Sequence, residues 1–201
     1  TMNTKTMSAQ LKYSYSKSSI ITLSVYSIVA IFMGTICFFP LVSELSYRNA
    51  HMLSTEASLH NFRYIHRFTY AFEEFERAIR FFPWESHYAM EYIKELNTYT
   101  SKQTNIKAKK ALILKSIDLV KYMIHIDPIN PWYHSRLAIL QSNLYDITKE
   151  KSLVTKIFHH TQQAAISDYE NPIFLLNFAH ILQQGNRSSE AYFYYNKALE
   201  I

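Results

Sequence analysis

Hydrophobic and polar positions along the chain follow two regimes. From Lys17 to Glu44 no residue carries a formal charge between the two ends, and Ile20 to Val42 is apolar apart from hydroxyl residues, Gly34 and Pro40. Wound as an α-helix at 1.5 Å per residue, Ile20–Val42 measures about 34 Å, enough for a hydrocarbon core of about 30 Å. Beyond Glu44 the apolar residues recur at helical spacing, in segments separated by Pro, Asn or Gly. The pattern predicts an all-α chain with a membrane helix at 19–44, with a continuation toward residue 60 left open. Helices then follow near 50–66, 68–82, 86–99, 106–126, 131–145, 150–167, 172–184 and 188–201. No segment reads as a strand once the helical period is applied.

The uncharged stretch is too long for the apolar part of a signal peptide, and no A-x-A-like site follows it. Cys37 is a poor lipidation site, because the bulky Ile36 precedes it. Ser24, Ser27 and Thr35 are compatible with a span, since their hydroxyls can bond back to helix carbonyls, and Pro40 lies near its far end. Lys5, Lys12 and Lys17 precede the span, whereas Glu44 and Arg48 follow it. The positive-inside rule then expects a cytoplasmic N-terminal side and an external C-terminal body, periplasmic in a bacterium. Three regions result: a basic, Ser/Thr/Tyr-rich segment at 1–18, the span at 19–44, and a helical body at 45–201. The chain opens on Thr1, so the span is expected to be either a lone anchor or the last of several.

The body repeats internally. In AFEEFERAIRFFP (71–83), Ala71, Phe75, Ala78 and Pro83 mark a spacing that returns as Ala191, Tyr195 and Ala198, and less clearly as Ser116, Val120, Met123 and Pro128. NPWYHSRLAIL (130–140) aligns with NPIFLLNFAHIL (171–182), each with Asn as N-cap and Pro at the first helical position. An aromatic follows each unit end at a fixed interval: Tyr88, Tyr133 and Phe174. A small residue lets paired helices approach, the aromatic fills the hole beside it, and stacked pairs bury what one pair cannot.

On these residues the chain resembles the tetratricopeptide repeat (TPR) proteins. The best-matched unit is 172–201, with Phe178-Ala179, a Gly185-Asn186 turn, then Ala191, Tyr195 and Ala198. The interval from Asn130 to Asn171 exceeds the usual ~34 residues, and the polar stretch DITKEK (146–151) accounts for the excess. The resemblance implies a TPR-like α-solenoid of antiparallel helix pairs whose first helices line a concave face. It places His87, Met90 and Lys94, then Trp132, Ser135 and Ile139, then Ile173, Leu176 and His180 on a groove for a peptide or protein helix. FFPLVSELSYRNA (38–50), AFEEFERAIRFFPWESHYAMEYIKEL (71–96) and the following repeats also resemble the C-terminal tail of bacterial O-antigen ligase/polymerase-type membrane proteins. That resemblance implies a parent acting on lipid-linked saccharide, with its active-site loops between earlier spans. The alternative is a stand-alone single-span scaffold for envelope assembly or secretion.

Composition removes several chemistries. Two glycines exclude a phosphate-cradling loop, and one cysteine excludes a disulfide framework or Cys-based zinc site. The net charge is +5, but Lys5, Lys12 and Lys17 carry the excess of the first 43 residues, leaving a nearly balanced body without a nucleic-acid footprint. Adjacent His159 and His160 point about 100° apart on a helix, and His60 and His66 do not share a face. Glu73, Glu74 and Glu76 read as the wet side of an amphipathic helix, as do Lys107, Lys109, Lys110 and Lys115. Asp127 and Asp168 occupy equivalent positions, which points to helix-end chemistry. Trp84, Trp132 and the many tyrosines could form a ligand surface, but most of this set is expected in the core. No catalytic residue, cofactor or metal ligand is assigned, and no enzymatic activity is expected of this chain.

Overall fold

In the computed structural model, the structure describes residues 17–59 and 66–201, with side-chain environments from Ile20 onward. The segment 1–16, the end of the helix expected at 50–66, and His60 lie outside the described residues. Among the described residues there are eight helices and no strand. They are α1 (Lys17–Leu59), α2 (His66–Phe81), α3 (Ser86–Lys102), α4 (Ile106–Ile126), α5 (Pro131–Thr148), α6 (Ser152–Ser167), α7 (Pro172–Gln184) and α8 (Ser188–Glu200).

The apolar run and the first helix of the body are one element. At 43 residues α1 measures about 64 Å, and it passes Pro40 and the expected 44/45 boundary without a break. Side-chain hydroxyls bond back along the span as anticipated, Ser24 to the Ile20 carbonyl at 2.9 Å and Thr35 to the Ile31 carbonyl at 2.8 Å. Every side chain from Ile20 to Phe39 is exposed. The last third of α1 then changes character: Ser43, Ser46, Ala50, Ser54 and Ala57, spaced three or four apart, are all buried. They form a seam of small residues on one face. Onto it α2 lays Phe68, Ala71, Phe75 and Ala78, all fully buried. Ser43 Oγ donates to the Ala78 carbonyl at 2.5 Å, which fixes the two helices in register.

Helices α1–α8 therefore pair as α1/α2, α3/α4, α5/α6 and α7/α8, each pair resting on the next. The end of α1 supplies the partner of α2. The aromatics expected to fill interhelical holes do so: Tyr88, Tyr133 and Phe174 are buried, and Phe75 stacks on Tyr92 with centroids 5.3 Å apart. The last two turns between pairs share one construction. Asn130 Oδ1 accepts from the Trp132 amide and its Nδ2 donates to Asp127, and Asn171 repeats both bonds with Ile173 and Asp168. The equivalent aspartates are thus helix-end groups. At the Gly185-Asn186 turn the left-handed residue is Asn186, with φ 60°, while Gly185 keeps an ordinary φ of −82°.

Two aromatics stand outside the core. Trp84 is 72% exposed and Trp132 52% exposed, although the tyrosines flanking them in the fold, Tyr88, Tyr92 and Tyr133, are buried. Both tryptophans sit where the chain enters a helix, and large rings there project past the packed layer.

The seam gives the first prediction. Ala50 is fully buried against Phe75, Tyr92 and Leu96. Ala50→Leu should lower unfolding stability by about 1–3 kcal/mol through overpacking, whereas Leu45→Ala on the exposed face should leave it nearly unchanged. Urea unfolding of the detergent-solubilised chain reads the difference.

Candidate functional site

The nine residues placed on the groove by the repeat register separate into two groups. On α3, His87 turns to α1, where its Nε2 lies 3.0 Å from the Tyr47 hydroxyl. Lys94 pairs with Glu91 on its own helix at 3.0 Å, and Met90 is half-buried against the core shared by α3–α6. His87 and Met90 thus belong to contacts between pairs, whereas Lys94 is exposed on α3. The other six lie on α5 and α7, and Trp132, Ile139, Ile173, Leu176 and His180 are exposed.

Two pockets adjoin there, with Ile139 in the wall of both. The first, about 130 Å³, lies between α5, α6 and α7 and is lined by Ser135, Ile139 and His180, with Ser142, Asn177 and Ile181 completing those helix faces. Ile157 and Thr161 of α6 form its floor. Thr161 spends its hydroxyl proton on the Ile157 carbonyl at 2.8 Å, so it presents only a lone pair to the pocket. Gln184 donates its amide to His180 Nε2 at 2.9 Å, which places the imidazole proton on Nδ1. Trp132 meets Phe174 edge-on, 4.8 Å between centroids, and closes one end of the α5–α7 face. Ile173 and Leu176 extend the apolar surface on α7 without lining this pocket.

The second pocket, about 400 Å³, lies between α3, α4 and α5 and is polar: Asn97, Thr100, Lys109, Arg136, Asn143 and Asp146 contribute to it. Arg136 is its distinctive group. Its Nε is buried and has no hydrogen-bond acceptor among the described residues. Burial makes this guanidinium easier to deprotonate than usual, though its ordinary value is so high that it stays charged. Asp146 faces Lys149 instead, at 3.7 Å. The combined surface offers apolar anchorage at one end and the half-buried Arg136 guanidinium at the other.

The α5 and α7 members are readable from sequence as one face at helical spacing. Sequence reasoning missed Arg136, whose neighbours Tyr133 and Leu137 read as core. It also missed Ile157 and Thr161, because only first helices of each pair were assigned to the groove.

Other polar clusters hold the scaffold together. Glu76 of α2 accepts from the Tyr92 hydroxyl of α3 at 3.0 Å and pairs with Lys115 of α4. Burial alone would raise its carboxyl, but the bonds from Lys115 and Tyr92 hold it below the usual range. Burial and the Glu76 charge push the Tyr92 phenol up. His51 of α1 faces Glu91 and Glu95 of α3, with ligand-type atoms within 4.8 Å of one another. This trio has the donor types for a divalent cation, and Glu95 is buried, which raises its carboxyl. Lys94 already supplies the positive charge at Glu91, so the cluster is satisfied as a helix–helix contact.

This arrangement of four antiparallel helix pairs stacked around a groove defines a TPR-like α-solenoid. The chain is similar to TTC0263, a thermophilic TPR protein of Thermus thermophilus, at 16% identity over 90% of this chain and 88% of that one, with a TM-score of 0.56. It is also similar to a MamA RS-1 double mutant, at 10% identity over 93% and 96% of the two chains, with a TM-score of 0.55. The likeness to MamA MSR-1 is partial: 16% identity, 65% of this chain, 64% of that one and a TM-score of 0.45. The chain thus spans just under two thirds of that protein. No family model matches the sequence, and no curated protein matches it.

The histidines of α5 and α6 yield a pH prediction. His134 Nδ1 and His160 Nδ1 are 3.1 Å apart, and His134 Nε2 lies 2.9 Å from the Pro128 carbonyl. Burial, followed by the neighbouring His134, His159 and Lys121, lowers His160 to about 4. An unfolded histidine takes up its proton near about 6.5, so the unfolded state binds more protons between those values. Stability should therefore fall as pH drops from about 6.5 toward 4. His160→Gln, which keeps a hydrogen-bonding side chain, should flatten this dependence in urea midpoints compared at pH 7.5 and 5.5. An unchanged slope would assign the pH effect to other groups.

Proposed function

We propose that this chain is a membrane-anchored, TPR-like interaction module that holds a protein segment in the groove between α3, α5 and α7. The observation that carries the reading is the joined pair of pockets around Ile139: exposed Ile139, Leu176 and Ile173 give an apolar track, while the Arg136 guanidinium, its buried Nε without an acceptor among the described residues, lines the polar end. Such a surface suits an amphipathic helix or extended peptide bearing one acidic group near its apolar anchors. His87 and Met90 pack in contacts between pairs and Lys94 stays exposed beside Glu91, so the α3 members lie outside the two pockets.

The anchor is the exposed part of α1. Among the described residues α1 is the one helix long and apolar enough to cross a membrane. Side chains such as Ile28, Val29, Ile31 and Phe32 are more than half exposed, and leaving that run in water would forgo about 1.5–3 kcal/mol for each large apolar side chain. Lysines on the N-terminal side favour a cytoplasmic start and a periplasmic body in a bacterial inner membrane. In this reading the module is the extracytoplasmic C-terminal part of an O-antigen ligase/polymerase-type protein, beside machinery handling lipid-linked saccharide, and itself non-catalytic. The resemblance of 38–50 and 71–96 supports that parentage. The same module as a stand-alone single-span scaffold keeps the anchor and groove without an enzymatic parent.

Anchorage and groove are tested separately. Alkaline phosphatase fused after Ile201 should be active in bacterial cells and a green fluorescent fusion there dark; the reverse would invert the orientation. A photo-crosslinking residue at Ile139 or His180 should form an adduct in cells that Arg136→Gln weakens several-fold, while one at Lys156 on the outer layer should form none. Equal adducts from all three positions would remove the groove.

A further inference from the structure

The turn between α2 and α3 lies beside the far end of the apolar run. Phe39 of α1 packs on Phe81 at the end of α2, with centroids 5.8 Å apart, and Phe38 is the neighbouring ring at 6.1 Å. Next along the chain, Phe82 meets Trp84 edge-on at 6.1 Å. Helix α2 thus runs back along α1 and delivers Phe81, Phe82 and Trp84 to the level where the exposed apolar surface of α1 ends. Trp84 points outward with 72% of its surface free, although its neighbours on α3 are in the core.

A second turn reaches the same edge. Tyr122 of α4 donates its hydroxyl to the Pro83 carbonyl at 3.2 Å, so this point of α4 is level with the first turn. Helix α4 continues for one more turn to Ile126, which carries it about 6 Å further in that direction. Ile126 is 41% exposed there, and Ile129, in the following turn, is 76% exposed. The two large apolar tips belong to successive pair-to-pair turns and project from one edge of the solenoid. Arg80, also exposed, is the next-to-last residue of α2. Tryptophan, flanked by phenylalanine and a basic side chain, is the composition favoured at the boundary between acyl chains and headgroups.

We propose that this edge is a second membrane contact: Trp84 and Ile129 lie in the headgroup–acyl boundary of the bilayer that α1 crosses, so the solenoid rests against the surface. The occupant is lipid, because the edge is continuous through Phe81 and Phe39 with the apolar surface of α1. The inference rests on the anchored reading of α1. Its consequence is orientation. Two points of contact beyond the span restrict tilt and rotation about α1, and hold the groove at a fixed attitude to the membrane.

The test uses the full chain in phosphatidylcholine/phosphatidylglycerol vesicles. Trp132→Phe leaves Trp84 as the sole tryptophan, since the chain has two. Lipid carrying a nitroxide in the headgroup or upper acyl chain should lower Trp84 emission about twofold, and aqueous iodide should have little effect. A control combines Trp84→Phe, Trp132→Phe and Phe32→Trp, and reports depth within α1; a nitroxide deep in the acyl chain should quench it. An independent arm places a spin label at Ile129→Cys in a Cys37→Ser background, where oxygen should broaden the signal more than an aqueous nickel chelate does. Iodide quenching of Trp84 together with deep-nitroxide quenching at Phe32→Trp would overturn the edge contact and leave the anchor standing. No lipid quenching at either site would overturn both.

Discussion

Close approach between α1 and α2 is the constraint on which the rest of the structure depends. Large side chains at positions 43, 46, 50, 54 and 57 would hold the two helix axes apart, whereas Ser and Ala let Phe68 and Phe75 sink between them. The buried serines bring hydroxyls into an apolar seam, and two return them to backbone carbonyls: Ser43 to Ala78 across the pair, and Ser54 to His51 within α1. With the pair closed, Phe75 meets Tyr92 and Tyr47, and α3 acquires a surface to lie against. Each later pair then rests on the one before. The solenoid is therefore built directly on the continuation of the apolar helix, with no flexible linker between the two.

That construction gives the polar contacts unequal weights. Most ion pairs here are local, three or four residues apart on exposed helix faces, such as Arg48–Glu44 and Arg187–Glu190, and contribute little to stability. Those that join helices are fewer and more consequential. Glu76 ties α2 to α3 and α4 through Tyr92 and Lys115. Tyr88 of α3 donates to Glu44 of α1 at 3.1 Å, and Tyr47 of α1 meets His87 of α3. Together they lock the first two pairs around the exit of the apolar segment. The proposed groove lies further along, on α5 and α7, where Arg136 Nε has no acceptor among the described residues.

Much of the fold was legible because its punctuation is chemical. Asn130-Pro131 and Asn171-Pro172 cap helices for reasons visible in the residues themselves, and the holes beside small residues announced Tyr133 and Phe174 as fillers. The first pair was harder to read. Its leading helix is continuous with an apolar run that dominates any window containing it, so the Ser43-to-Ala57 seam has no start signal of its own. The groove was half legible for a related reason. Periodicity says which residues share a face of one helix, hence Ser135, Ile139 and His180. It does not say which side chains of a neighbouring helix project between them, so Ile157, Thr161 and the Arg136 donor emerge only from the packing. Trp84 shows the limit of residue-type reasoning, since its size suggests core and its position ahead of α3 puts it outside, whereas Trp132 is exposed on the helix face where the repeat register sets it.

The central claim is that the apolar segment and the first repeat helix are a single rod. Spin labels at Met33→Cys and Met52→Cys, both on exposed positions, in a Cys37→Ser background, measure it directly by electron–electron distance in lipid nanodiscs. An unbroken helix between them predicts one narrow distribution near about 28 Å between attachment points. A broad distribution, or one centred well below that value, would mean that the chain bends near Pro40 and that the solenoid hangs from its anchor rather than growing out of it.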